Sequence, residues 1–461
     1  MEKKEISRQS IDMLHGPIWN KLIQYALPVA ATGILEQLFN ASDIAIVGNF
    51  TGDAKTIAVA AVGANSPIIG LILNLFIGIA LGVTVVIAHA VGQREEKTVK
   101  KAVSTAIIMA IIGGLCVTVF GELFIGSLLK MLNVPDDVLP YALLYIRIYL
   151  LGMPVILLYN FEAAIFRSIG ETKIPLKALA VSGILNVLFN LFFVIVLKMT
   201  VNGVAIATVI ANAVSSLLLF RKLRKTTEVI HLDLQELTFD KTVFKKIMRI
   251  GLPSGIQSAV FAVANIVIQS AINSLGTVVI AASSAAFNIE IFAYDVLNAF
   301  SQACTTFTGQ NCGAGQVKRC RKILILCIIE AAIATALAVL LVLATGKELL
   351  SLFNSDPQVI SIGYTRLIMV FSAYTFSMLY ENMSGYLRGF GISVIPALLT
   401  ILGVCGVRMF WIFAIFPSHR SFQTIMMAYP LSLSTTALLI FIALIRCHPS
   451  RKLDSGVTQA R

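Results

Sequence analysis

Residues 167–176, RSIGETKIPL, and residues 388–397, RGFGISVIPA, decide how this chain is organised. Both fit R-x-x-G-x-x-x-I-P, and each leads from one long apolar run into the next. In each bend the glycine permits the turn, and Pro175 or Pro396 starts the following helix where no amide donor is needed. One bend written twice, about half a chain apart, points to a duplication. Other pairs keep a similar spacing. YALPVAA with Pro28 matches RIGLPSG with Pro253, VGQREEKTVKKAV matches TGQNCGAGQVKRC, and Tyr145–Arg147 (YIR) matches Tyr364–Arg366 (YTR).

The apolar runs set the fold class. Of 461 residues, 57% are apolar and 13% charged, where soluble domains have roughly 45–50% and about 25%. Runs of 18 or more apolar residues fill most of the sequence, each long enough to cross a hydrocarbon layer of about 30 Å as a helix. They lack the period-2 alternation of barrel strands, so an all-α polytopic membrane protein is expected. Helices are predicted near 17–48, 56–88, 99–126, 139–162, 174–198 and 201–221, and again near 244–275, 278–308, 321–345, 358–385, 393–417 and 422–446. These are twelve transmembrane helices in two six-helix repeats. An even number per repeat makes the halves parallel, related by a pseudo-two-fold along the membrane normal and enclosing a central cleft. The expected divisions are a cytoplasmic N-terminus (1–16), an N-lobe (17–221), a cytoplasmic linker (222–243), a C-lobe (244–446) and a cytoplasmic tail (447–461).

The net charge of +12 reports orientation rather than a nucleic-acid partner. With loops alternating sides, Lys and Arg gather on one side: residues 3–8, 94–101, 173–177, 221–249, 318–322 and 451–452. The other side holds little beyond Lys55, Lys130, Lys198, Lys347 and Arg420. By the positive-inside rule both termini are cytoplasmic, which fits a multi-pass protein of the plasma membrane. The first twenty residues are too polar for a cleavable signal peptide, so the first span is expected to direct insertion. The seven cysteines are odd in number, show no CxxC pair and read as free thiols.

Polar residues inside the spans are the candidates for function, because a carboxylate in mid-membrane needs a partner or a wet cavity. Helix one carries Glu36 and Asp43, two turns apart, with Asn40 between them. Helix five carries Asn186 and Asn190 on one face, and helix six carries Thr208. Carboxylate, amide and hydroxyl oxygens suit a hard ion such as Na⁺, and a desolvated carboxylate suits H⁺. The alternative for the amides and the hydroxyl is packing between helices. Asn40 in helix one, Tyr159, Asn160 and Glu162 at the end of helix four, and Glu290 and Asp295 in helix eight are candidates for lining the cleft or bonding to neighbouring helices. Arg147, Arg366 and Arg408, near helix ends, read as snorkelling or pairing locally.

The arrangement resembles the multidrug and toxic compound extrusion (MATE) family over about residues 15–446. The resemblance rests on LPVAATGILEQLFNASDIAIVG, NFEAAIFRSIGETKIPL, NVLFNLFFVIV, GVAIAT and GQNCGAGQ in this order. It implies an antiporter that exports organic, cationic or amphipathic, compounds in exchange for H⁺ or Na⁺. It also implies an N-lobe coupling site in which Asp43, Asn186 and Thr208 match the family's acid, amide and hydroxyl. Where the family often has a second Asp, this chain has Asn190. Some relatives place acids in helices seven and ten; the comparable positions here are Phe261 and Ser377, which argues against a C-lobe ion site. A flippase for lipid-linked saccharides is the nearby rival and an intramembrane enzyme the distant one. No nucleotide-binding loop, metal-ligand spacing or nucleophile motif is found, so no cofactor, no resident metal and no enzymatic activity are expected. The expected partners are a small organic molecule, H⁺ or Na⁺, and membrane lipid.

Overall fold

The apolar runs become helices because each backbone must satisfy its own hydrogen bonds in lipid. The structure, a computed structural model, describes residues 10–52, 55–132, 134–447 and 449. The first half holds α1 (Trp19–Phe50), α2 (Lys55–Gly92), α3 (Glu96–Met131), α4 (Leu139–Leu151), α5 (Met153–Ser168), α6 (Lys173–Leu191, continued by a π turn, Phe192–Val196) and α7 (Val201–Lys225). The second holds α8 (Lys241–Asn273), α9 (Thr277–Gly313), α10 (Val317–Ser351), α11 (Pro357–Phe371), α12 (Tyr374–Gly389), α13 (Val394–Thr400), α14 (Val407–Phe410) and α15 (Phe422–Cys447). Ten of these helices, two of them continued through π turns, are long and apolar enough to cross a membrane. The bent pairs α4–α5 (51°) and α11–α12 (45°) each supply one more span, giving twelve. This is an all-α polytopic membrane protein with six spans in each half. There is no strand among the described residues.

The fourth and tenth spans are therefore broken, where single helices were expected. Pro154 explains the first break. It stands in the opening turn of α5, so it cannot donate back into α4, and Gly152 ends α4 by donating to Ile148 O and Tyr149 O. The second break falls at Ser372 and Ala373, which carry no such signal. The two repeated bends behave alike: Gly170 and Gly391 have φ of +87° and +79°, a left-handed conformation natural to glycine.

The chain forms two compact units. Among the described residues, unit 1 comprises 10–11, 31–91 and 95–247, and unit 2 comprises 12–30, 92–94, 248–447 and 449. Unit 1 has an apolar core built from Val47, Ala58, Leu129, Ile146, Leu157 and Val204. Its helices approach closely at small residues, as membrane helices do: Gly114 lies against the Pro154 backbone, and Gly183 makes room for the Phe39 ring. The polar linker packs Ile230 and Leu232 inward, and Asp240 accepts from Lys101 Nζ (2.9 Å) on α3. That contact, with backbone donation from Val243 and Thr242, holds the Asp240 carboxyl below the usual carboxylate range. In unit 2, α12 meets α9 through Gly385 and Gly389, a G-x-x-x-G pair against Ser301, Thr305 and Thr308.

Candidate functional site

In unit 1 the Gly183–Phe39 contact sets α1 against α6, and one turn beyond Phe39 comes Asp43. The Asp43 side chain is 6% exposed. Its Oδ1 accepts from Asn190 Nδ2 (2.5 Å) and its Oδ2 from Thr208 Oγ (3.1 Å). Asn190 Nδ2 also donates to Asn186 Oδ1 (3.1 Å), and Asn186 Nδ2 donates to Thr208 Oγ (3.3 Å). The four residues thus close a ring of hydrogen bonds across α1, α6 and α7. Thr208 has one hydroxyl proton and two acceptors in reach, Asp43 and Val204 O (3.0 Å), so its donation to Asp43 is switchable. Asn190 Oδ1 is buried without a hydrogen-bond partner. Among the described residues no cation pairs with Asp43.

The structure thus brings together Asp43, Asn186, Asn190 and Thr208. Glu36 is half-buried elsewhere on α1, and Asn40 is exposed between them. The Tyr159 hydroxyl is buried without a hydrogen-bond partner. Asn160 donates to its own helix at Ile156 O (2.9 Å), and Glu162, fully buried, accepts from Ser216 Oγ (2.9 Å) on α7.

Unit 2 handles charge differently. Glu290 on α9 accepts from Arg366 Nε (2.7 Å) and Nη2 (2.9 Å), a two-pronged pair whose side chains are 8% and 2% exposed. Arg366 Nη1 donates to Ser283 Oγ, and its guanidinium stands over the Tyr429 ring (5.7 Å). Arg408 is 3% exposed and stands over the same ring (4.3 Å) and over Phe261 (5.2 Å). Snorkelling therefore fails for Arg366 and Arg408, which turn inward to acceptors and aromatic faces. It fits Arg147, half-exposed beside Glu122 (3.5 Å). Asp295 is half-buried on α9, and Ser377 is buried. The sequence reading also passed over Glu330, a buried acid in the apolar run of α10 with neither carboxylate oxygen hydrogen-bonded. All seven cysteines are free, as expected.

The MatE family model matches residues 28–192 and 253–413, one segment in each half. This chain belongs to the MatE family. The MatE chain is 24% identical to the probable multidrug resistance protein YoeA of Bacillus subtilis, over 92% of its own length and 93% of that protein's. It is 23% identical to the probable multidrug resistance protein NorM of Thermotoga maritima, covering 85% and 84%. Its fold is that of a multidrug resistance MATE family transporter solved in an outward-facing conformation, with a TM-score of 0.88 at 21% identity over 97% of this chain and all of that one. The MatE protein is thus a membrane transporter of the multidrug efflux family.

Proposed function

We propose that this protein is a secondary antiporter of the plasma membrane, exporting organic, cationic or amphipathic, compounds in exchange for H⁺ or Na⁺ that enters at Asp43. The observation that carries the reading is the Asp43 ring: a buried carboxylate, two neutral donors and no positive partner. An ionised carboxylate in such surroundings costs several kcal/mol by order of magnitude, and a proton or a hard cation removes that cost. Oxygens of Asp43, Asn186, Asn190 and Thr208 supply the donor set that Na⁺ prefers, and Asp43 alone suffices for H⁺. Neutralising the ring frees Thr208 to turn to Val204 O and loosens α1 from α6 and α7. That change biases the equilibrium between inward- and outward-open states, and only a ligand with different affinity for the two states can do so.

The saccharide-lipid flippase needs a concentrated positive site for a pyrophosphate. Three arginines are buried in unit 2, but Arg366 is neutralised by Glu290 and Arg388 lies 3.6 Å from Glu381, which favours the antiporter. The basic residues at 94–101, 173–177, 221–249 and 318–322 support a cytoplasmic linker and cytoplasmic termini.

The test is export of ethidium from proteoliposomes with the Na⁺ and pH gradients imposed separately. One gradient is expected to drive accumulation against concentration, and collapsing it is expected to stop it. Export that persists with both gradients collapsed contradicts the proposal. Labelling of Thr227→Cys from outside intact cells would contradict the orientation.

A further inference from the structure

One buried arginine in unit 2 has no carboxylate partner among the described residues. Arg408 lies on α14, a single α turn between two π segments, Ile401–Gly406 and Trp411–Ile415. π segments displace the side chains of a helix and concentrate at functional sites. The Arg408 guanidinium is held in place by neutral groups alone: Nε donates to Ser432 Oγ (3.2 Å) and Nη1 to Asn265 Oδ1 (3.2 Å), with the Tyr429 and Phe261 rings beside it. Two of the buried carboxylates of unit 2 are engaged elsewhere, Glu290 by Arg366 and Glu381 by Arg388. A guanidinium has five N–H donors in a planar fork, so Nη2 and its two protons have no acceptor among the described residues.

A fixed cation, a free edge of the fork and an aromatic wall together define a recognition point for a planar anion attached to an apolar body. We propose that Arg408 is a specificity-determining residue that binds an oxyanion, a carboxylate or phosphate, carried by an amphipathic organic compound within unit 2. The fork matches the two oxygens of such a group, and charge assistance makes these bonds strong. Phe261, half-buried beside the guanidinium, is an aromatic neighbour for the apolar part of the compound. The proposal rests on the antiporter reading only in that organic compounds reach unit 2. Within that class it assigns a preference for compounds with a negative group, zwitterions included.

The test is equilibrium binding of rhodamine B and its ethyl ester, which differ only in a free carboxylate, to the purified full-length protein by fluorescence polarisation. No gradient is present, so coupling has no part in the result. The wild type is expected to bind the free acid about tenfold more tightly than the ester, as one added charge-assisted contact implies. Arg408→Gln is expected to erase that preference while ester affinity stays within about twofold. Arg408→Lys, which keeps the charge but not the fork, should retain part of it. Equal wild-type affinities overturn this proposal alone, whether or not the variants fold, and so does a preference that survives in Arg408→Gln. Binding of neither dye overturns the antiporter reading as well. A preference erased by added phosphatidylglycerol but not by phosphatidylcholine gives the site to a lipid headgroup and overturns a compound-borne anion.

Discussion

The two units solve the same problem, charge inside a membrane helix, in opposite ways. Unit 1 holds Asp43 with one amide and one hydroxyl, neutral donors that leave its charge without a counter-charge. Unit 2 holds Glu290 with a guanidinium through two parallel hydrogen bonds, a pair with no easy second state. The first arrangement is the one proposed to exchange a proton or an ion. The second is fixed, and its purpose is to hold α9 to α11. Under the proposed antiport, the duplicated architecture carries its movable charge in one half and its paired charge in the other.

Breaking the fixed pair should have the largest effect on stability. Glu290→Ala strands the Arg366 charge in a site that is 2% exposed, and losing one partner of a buried pair costs about 3–5 kcal/mol. The thermal midpoint of the purified variant should fall sharply, and expression with it. The double variant Glu290→Leu with Arg366→Met removes both charges and should recover most of the loss. Asp43→Asn, by contrast, should leave the midpoint unchanged or raise it. If Asp43→Asn destabilises as much as Glu290→Ala, the contrast between the units is wrong.

A smaller and symmetric effect is expected at the repeated bends. Valine at Gly170 or at Gly391 forces a β-branched residue to a φ of +87° or +79°, at a cost of order 1–3 kcal/mol each. At Gly391 the nearest atom to an added Cβ is Ile250 Cδ1 at 3.8 Å, ordinary contact, so the strain there is in the backbone. Matched drops in midpoint support one bend used twice. A loss at only one site would mean that the two bends have diverged in role.

These expectations also show what could be read before the structure. The twelve spans were legible because an apolar run of this length has few alternatives in lipid. The grouping of Asp43 with Asn186, Asn190 and Thr208 was half legible. Helical spacing put Asn186 and Asn190 on one face, and the cost of a buried acid required partners. Nothing in the spacing said that Gly183 would admit Phe39 and bring α1 to α6. The break at Gly152 had a signal in Pro154, which a continuous apolar pattern concealed. The break at Ser372 and Ala373 had none. Arg366 and Arg408 were misread because an arginine near a helix end usually reaches for water. Their acceptors, Glu290, Asn265 and Ser432, come from other helices, and the Tyr429 ring that both share is visible only in three dimensions.

The central claim is that Asp43 is where the driving ion acts. The most direct measurement compares wild type and Asp43→Asn in the same proteoliposomes, scoring export against a concentration gradient alongside substrate binding at equilibrium. Asparagine keeps the shape and one acceptor, which Asn190 can still reach, exchanges the other acceptor for a donor toward Thr208 Oγ, and removes titration and charge. The variant should insert, fold and bind substrate, and should lose export driven by either gradient. An Asp43→Asn protein that exports against a gradient as well as the wild type would contradict the account and move the coupling site elsewhere, with Glu36 and Glu162 the next acids to test.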